Sequence, residues 1–598
     1  MTLQEWQDLY QDAVNHRSEL DEKINRRYEL YYGTNKVRNR KTGGFANKPA
    51  YTYKNMTFEL IETQVNNSIP QPKVTPRHKK DINLALEAEG YLKNEADRMD
   101  FETINDGAER ETLIQGNVFY LVGWDNTKTT PLTEGELFVK YIPVKNVYPQ
   151  PGITDIKDAE YIFVKEMVSC KKIKKLYNVT IPESGMYRGM NEMITAYYLN
   201  DDGYLSRFAW VEDTVVFDED YYELRKFKVC KKCGSYFGDH NSCPLCENKT
   251  YRYVSEENET LSEDIIKVTD GKPDIIAKQG TRIPYYKIKR LPFVLRKNIS
   301  KSGELYGLSD VDQLENNQES LNKLMTKMEE NVLKGGSIVV LPNGVNIPNT
   351  DDTLKIIRPK DPNSARYIDV KTIQGNIQQD DILQERMYQA GRTGLGITDS
   401  YQGKRDPTAE SGKAKEISAA QASGRLESKR RMKDAAYADL YELMFDFLLV
   451  YCDEDRSYSK MSPTGEVEEG HFSRYNFLDG ELGNVYYNDR FLFSVDSASI
   501  LSTSREAMWK ETTNNFVSGT FGNPQDPQTL LLFWNTMKEL GYPLANQALK
   551  SLSDRAQQLP QGLQQAIMQN PEILKAVQQV VSGGENVQNN KQQSGISK

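Results

Sequence analysis

The sequence lacks most of what marks a catalyst. No G-x-x-x-x-G-K-[ST] run occurs, and Gly33 to Lys36 and Gly271 with Lys272 have neither its spacing nor its context, so the chain carries no P-loop for nucleotide hydrolysis. The four histidines, His16, His78, His240 and His471, stand apart with no partner spacing, and neither His-Glu-x-x-His nor Gly-x-Ser-x-Gly is present. Acidic pairs such as Asp351-Asp352 and Asp380-Asp381 have nothing converging on them, so they read as solvated turns or helix N-terminal charges. A non-enzymatic protein is expected. Excess positive charge is missing too. A net charge of -9 argues against coating nucleic acid through bulk attraction. Long apolar runs are absent, the longest being Phe445 to Val450 and Ser337 to Leu341. A membrane helix needs roughly 20 such residues. The N-terminus has no basic start followed by an apolar run, so no secretory leader is expected and the protein should be made in the cytoplasm.

What is present is length and order. At 598 residues the chain exceeds a single ordinary core. Leu3, Trp6, Leu9, Tyr10, Val14 and Leu20 recur at helical spacing up to Gly33. A basic loop follows over 34–54, a second helix over 54–68, and an extended Ile69 to Pro76 whose three prolines forbid a helix. A third helix, continuous or with one break, should run from Lys80 to Gln115. The period then changes to two at Val118 to Val122, Glu136 to Ile142, Tyr161 to Lys165 and Phe208 to Glu212, which predicts strands, with another extended stretch from Pro284 to Asn298. Near Gly307 it changes back. Val311, Leu314, Gln318, Leu321, Met325, Met328 and Val332 step by three and four, a heptad-like seam with one polar member. Gly335-Gly336 should end this helix. A small β-containing insertion follows, then a helix from about Gln378 that fails around Gly391 to Gly396, the polar loop 398–412, and a long helix from Lys413 to Cys452. Residues 504–581 read as helical, cut by prolines, and 582–598 as a disordered tail. The fold class is α+β.

Six cysteines are too few for a disulfide scaffold, but four are clustered: Cys230, Cys233, Cys243 and Cys246, as C-x2-C, nine residues, C-x2-C. Four thiolates close a tetrahedral zinc site and leave no position for water, so a structural zinc ribbon over 227–254 is expected, with one ion per chain. The ribbon is too small for a core of its own. Its folding free energy, on the order of 10 kcal/mol, would come from the metal. The competing readings are His240 replacing one cysteine, or a redox C-x-x-C pair. The second lacks any thioredoxin-like βαβ pattern. Lysines 226, 228, 231, 232 and 249 make the ribbon basic, either as a nucleic-acid contact or as a solvated face.

The order of these parts resembles the portal proteins of tailed bacteriophages. The resemblance rests on Leu291 to Val294 followed by Leu305 to Asp310 before the seam helix, on Thr112 to Gly116 before Val118 to Asp125, and on Glu136 to Pro149. It covers nearly the whole chain and lies in the order of parts; the ribbon departs from it. It implies a portal-like α+β architecture: a wing at 1–305 carrying the ribbon, stem helix 1 at 306–334, a clip at 335–376, stem helix 2 at 377–396 and a tunnel loop at 397–412. The long helix and a return to the wing follow at 413–503, then a helical crown at 504–581. The implied function is a ring at one capsid vertex, through which a motor drives double-stranded DNA into the head and DNA later leaves to the tail. The implied partners are eleven further copies of the chain in a twelve-membered ring, the terminase large subunit, the head-tail adaptor, the major capsid and scaffolding proteins, and DNA without sequence preference. No membrane is involved, and the destination is the virion.

Within that scheme Tyr401, Gln402, Lys404 and Arg405 of the loop should approach DNA in the channel; the bland alternative is an ordinary surface loop. The seam residues should pack between subunits of the ring, or else on the protein's own second helix. Asp310, Asp312, Glu315, Glu319, Glu329 and Glu330 would give the channel an acid-leaning wall that repels phosphate. Arg425, Lys429, Arg430, Arg431 and Lys433 on the long helix would meet a neighbour's acids or DNA. Two other readings fit less of the chain: a zinc-ribbon nucleic-acid-binding protein, and another structural virion protein such as an adaptor.

Overall fold

The computed structural model describes residues 1–34, 54–340, 363–397, 412–496 and 505–549, less interruptions of up to eight residues inside these ranges. Two compact units result, Met1–Ser459 with Glu469–Ser497, and Lys460–Glu468 with Ala498–Lys598.

In the first unit, helix α1 (Leu3–Tyr32) starts from a Thr2–Glu5 capping box, which satisfies amide groups at its N-terminus, and ends at Gly33. Helices α2 (Met56–Gln64), α3 (Ile82–Arg98) and α4 (Phe101–Gln115) follow. The helical stretch expected over 80–115 is thus two helices, the break falling where Asp100 takes a left-handed φ of 53°. Helix α5 (Cys170–Tyr177) lies between strands. The strands form a five-stranded antiparallel meander, Val147–Pro149, Tyr161–Ser169, Met190–Leu199, Leu205–Val211 and Thr214–Glu219. A three-stranded sheet has Asn117–Thr129 between Phe293–Lys297 and Glu134–Ile142. The first half of α1 lies on the meander. Trp6, flanked by Tyr161, Phe163, Tyr198 and Phe208, is the centre of that contact.

Helix α6 (Asp310–Lys334), a strand pair of Gly336–Val340 with Asp369–Ile373, and α7 (Ile377–Leu395) come next. Helix α8 (Gly412–Tyr451) is the spine of the unit. From Leu443 to Val450 its side chains are buried on every side, among them Leu443, Met444, Phe445, Phe447 and Leu448. An apolar segment of this kind is the interior of a large core, each such side chain contributing about 1.5–3 kcal/mol by leaving water. It packs on α3, on the three-stranded sheet, and on the pair Gln71–Pro76 with Phe491–Asp496, strands more than 400 residues apart. Among the described residues no helix is long and apolar enough to cross a membrane.

The second unit holds α9 (Arg505–Val517) and α10 (Pro527–Glu539), joined through Phe516 stacked on Phe533 at 4.3 Å. The tail 582–598 lies outside the described residues.

Candidate functional site

The two sequence motifs most distant from each other in the first unit, Thr112 to Gly116 and Leu305 to Asp310, meet at the root of α6. Gly116, at the C-terminus of α4, has a φ of +79°. A Cβ there would lie 2.8 Å from backbone atoms of Leu308 and Ser309, so only glycine permits this approach. The Ser309 hydroxyl donates to the Ile114 carbonyl at 2.5 Å, and the Gly307 amide donates to Asn117 Oδ1 at 2.8 Å. Asp310, the first residue of α6, is fully buried. It accepts from Asn298 Nδ2 at 2.8 Å and pairs with Lys429 Nζ of α8 at 2.5 Å.

One turn of α8 further on, a second buried charge cluster ties the same elements together. Glu109 of α4 pairs with Arg296 at 2.9 Å and with Lys433 at 2.5 Å, and each of the three side chains is about 5% exposed or less. Burial alone would raise the Glu109 carboxyl, but the Arg296 and Lys433 charges outweigh it and hold the group below its ordinary value. Lys433 is pushed down to about 8, because desolvation outweighs the pull of Glu109. Its ammonium also donates to the Asn66 and Ser68 carbonyls at 3.0 and 2.6 Å. Lys429 and Lys433 are thus turned to the chain's own acids and polar groups. Arg430 lies 4.0 Å from Asp434, and Arg431 is exposed. The side chain of Arg425 lies outside the described residues.

Along α6 the seam divides. Val311 is buried with Leu30, Tyr31, Ile61, Leu113 and Ile114. Leu314 and Leu321 are buried with Met56, Leu60, Tyr388, Leu395 and Ile397. Gln318, the polar member, is buried and paired. It accepts from the Thr57 amide at 3.0 Å and donates to the Lys54 carbonyl at 3.0 Å, so its polarity serves the start of α2. Met325 and Met328 are half-buried, and the side chain of Val332 lies outside the described residues. Helix α7 ends inside the expected stretch from Gly391 to Gly396. It runs to Leu395, with Gly391 set so close to Met56 that a Cβ would lie 2.9 Å from its sulfur.

The acid-leaning wall is corrected by the structure for four of its six residues. Asp312 pairs with Arg27 at 2.6 Å, and Glu315 with Arg26 at 2.9 Å. Glu319 also meets Arg26, and Asp310 meets Lys429 as above. Each of these four acids has a cation of its own chain beside it, with Asp312, Glu315 and Glu319 still partly exposed, and helical periodicity could not reveal these pairings. The side chains of Glu329 and Glu330 lie outside the described residues, as do Tyr401, Gln402, Lys404 and Arg405 of the loop. Of the insertion between α6 and α7, the strand pair is described and most of the chain linking its strands is not.

The four cysteines do come together. A hairpin of Lys226–Cys230 with Tyr251–Ser255 carries them, and their sulfurs all lie within 4.8 Å of one another. Cys230 and Cys246 are 3.5 Å apart, and Cys233 is 3.4 Å from both Cys243 and Cys246. Cys230 and Cys243 are buried, while Cys233 is exposed. The Lys232 amide points at the Cys230 sulfur from 3.4 Å and the Asn248 side-chain amide from 3.7 Å. This donor set is compatible with a structural metal. His240 lies outside the described residues.

Sequence reading missed Asn298, Glu109 and Arg296 as partners of the α6 root. The one available signal was Lys429 and Lys433, four apart and therefore on one face of a helix whose next turns are apolar. Compared with known proteins, the chain has no significant match among curated proteins. A family model described as phage P22-like portal protein matches residues 34–344, just over half of the chain.

Proposed function

Because the chain belongs to the P22-like phage portal protein family, it is a portal protein, and we propose that its α6–strand pair–α7 unit is the stem and clip of the portal channel. Portal proteins are structural rather than catalytic; they form a ring at a capsid vertex through which DNA passes, and they work with capsid and packaging components. The observation that supports the finer assignment is the root of α6. There the two motifs of the resemblance are locked by Gly116 and by the buried Asp310–Lys429 pair, while the helix leads away to a strand pair and returns as α7.

In this reading residues 1–305 are the wing, 306–334 stem helix 1, 335–376 the clip, 377–396 stem helix 2, 397–412 the tunnel loop and 504–581 the crown. Twelve copies close the ring. Since Val311, Leu314, Gln318 and Leu321 are covered by their own chain, the seam's contribution to ring packing falls to Met325, Met328 and Val332. The clip meets the terminase large subunit and later the head-tail adaptor, and the wing meets the major capsid and scaffolding proteins. Tyr401, Gln402, Lys404 and Arg405 face double-stranded DNA without reading its sequence. The four cysteines hold one structural zinc ion per chain. Native mass measurement of the purified chain tests the assembly. Closed rings are expected, and monomers alone at micromolar concentration and above would overturn it.

A further inference from the structure

We infer that the hairpin Lys226–Cys230 with Tyr251–Ser255 and its four cysteines form a metal-dependent folding module, with a zinc tetrathiolate as its core and a stability of its own apart from the rest of the first unit. Two strands of five residues are marginal in water without a third strand or an apolar face to bury. Among the described residues the core cluster at this place consists of Cys230 and Cys243 with Cys246 packed against them, and of nothing else. Sulfur atoms thus pack on one another at the described centre of the module.

The sulfur geometry fits an ion. With Zn–S bonds of about 2.3 Å, the edges of a tetrahedron of sulfurs are about 3.8 Å. The three closest pairs here are 3.4–3.5 Å and all lie within 4.8 Å, far beyond the roughly 2.05 Å of a disulfide. The second cysteine loop turns back on itself as a knuckle does. The Glu247 amide donates to the Cys243 carbonyl at 2.8 Å, and the Cys243 amide donates to the Asn248 carbonyl at 2.9 Å. Glu247 itself has a φ of +54°, directly after the last cysteine, and the sequence has Gly234 in the same place after Cys233. Loading the site displaces the thiol protons and leaves a doubly negative centre. The exposed Lys231, Lys232 and Lys249 lie on the same module and offset that charge.

Four thiolates accept zinc or iron. Iron in such a cage serves electron transfer, and a ring subunit has no redox step. The choice of zinc therefore rests on the portal reading, whereas the metal core does not. The full-length chain, produced with both metals supplied and purified under reducing conditions, should carry about one zinc per chain and less than about a tenth of an iron. Removing the metal with a mercurial reagent and a chelator should speed amide exchange in the hairpin by about tenfold or more, with α4 and α8 unchanged. Cobalt(II) should restore protection and give the absorption of a tetrahedral thiolate complex. Cys243→Ser should lose the metal, while Cys452→Ser, at a buried cysteine of α8's end, should keep it. Protein without metal, stoichiometric iron, or hairpin exchange unaffected by stripping would each overturn the inference. Ring formation by the stripped protein separates it from the portal reading, which predicts that the ring persists.

Discussion

Replacing Glu109 by glutamine leaves two buried cations without their anion, and the structure sets the size of the effect. Arg296 cannot give up its proton. Lys433 can, and its folded value has already fallen from 10.5 to about 8, which corresponds to roughly 3 kcal/mol of burial penalty. Because that value is depressed, the unfolded chain binds more protons between about 8 and 10.5. The penalty is therefore full below about 8 and is relieved as pH rises through that window. In Glu109→Gln the attraction that props up Lys433 is gone, so Lys433 loses its proton at a lower pH than in the parent protein and Arg296 remains charged and unpaired. Loss of one partner from a buried ion pair costs about 3–5 kcal/mol. The cost should be larger at pH 6 than at pH 9, where Lys433 is already largely neutral in the parent protein. Calorimetric unfolding of the first unit reads this directly, since 1 kcal/mol moves the midpoint by about 2–4 °C in domains of 150–250 residues and less in larger ones. The double variant Glu109→Gln with Lys433→Met should recover part of the loss. A midpoint within about 1 °C of the parent at both pH values, or a larger drop at pH 9, would refute the reasoning.

Two further outcomes follow from the α6 root and the loop. Gly116→Ala should destabilise the protein by clearly more than Gly152→Ala, and should lower the fraction of subunits found in rings by mass photometry. Both glycines have positive φ, with a strain cost of about 1–2 kcal/mol, but a Cβ at position 152 meets nothing within 4 Å. Equal losses would mean that the contact with Leu308 and Ser309 is unimportant. Changing Lys404 and Arg405 together to alanine should leave folding and rings intact and alter the rate of packaging or the length of DNA retained. A cysteine at position 404 that fails to crosslink DNA in filled particles, while cysteines elsewhere succeed, would place the channel wall on another segment.

Local periodicity carried much of the architecture. The α1, α6, α7 and α8 helices lie within a few residues of where spacing and glycine stops put them, because each has a strong apolar pattern and a defined end. Strands fared less evenly. Met190–Leu199 and Thr214–Glu219 were missed, since Asn191, Glu192 and Thr195 break the alternation in the first, and Asp213 precedes the second while Asp218 and Glu219 end it. Their identity as strands comes from neighbours in the meander. The pairing of Gln71–Pro76 with Phe491–Asp496 has no local signature at all. The cysteine cluster was legible because metal ligands are sparse and their spacing is diagnostic. The charges were not: whether Asp312 or Glu315 faces a channel or an arginine of α1 depends on where α1 lies, and that is a property of the packed unit.

The way α6 is held makes it a lever. Its first three turns are clamped by Asp310, by the Arg26 and Arg27 pairs and by the apolar contacts of Val311, Leu314 and Leu321, while Lys323 and Lys327 beyond them are exposed. The helix beyond Leu321 reaches roughly 20 Å, so a tilt of about 5° where the clamp ends displaces the far end by about 2 Å. Motion at the strand pair is thereby geared down to a small, stiff movement at α4 and α8, and a small repacking of that core is magnified on its way out.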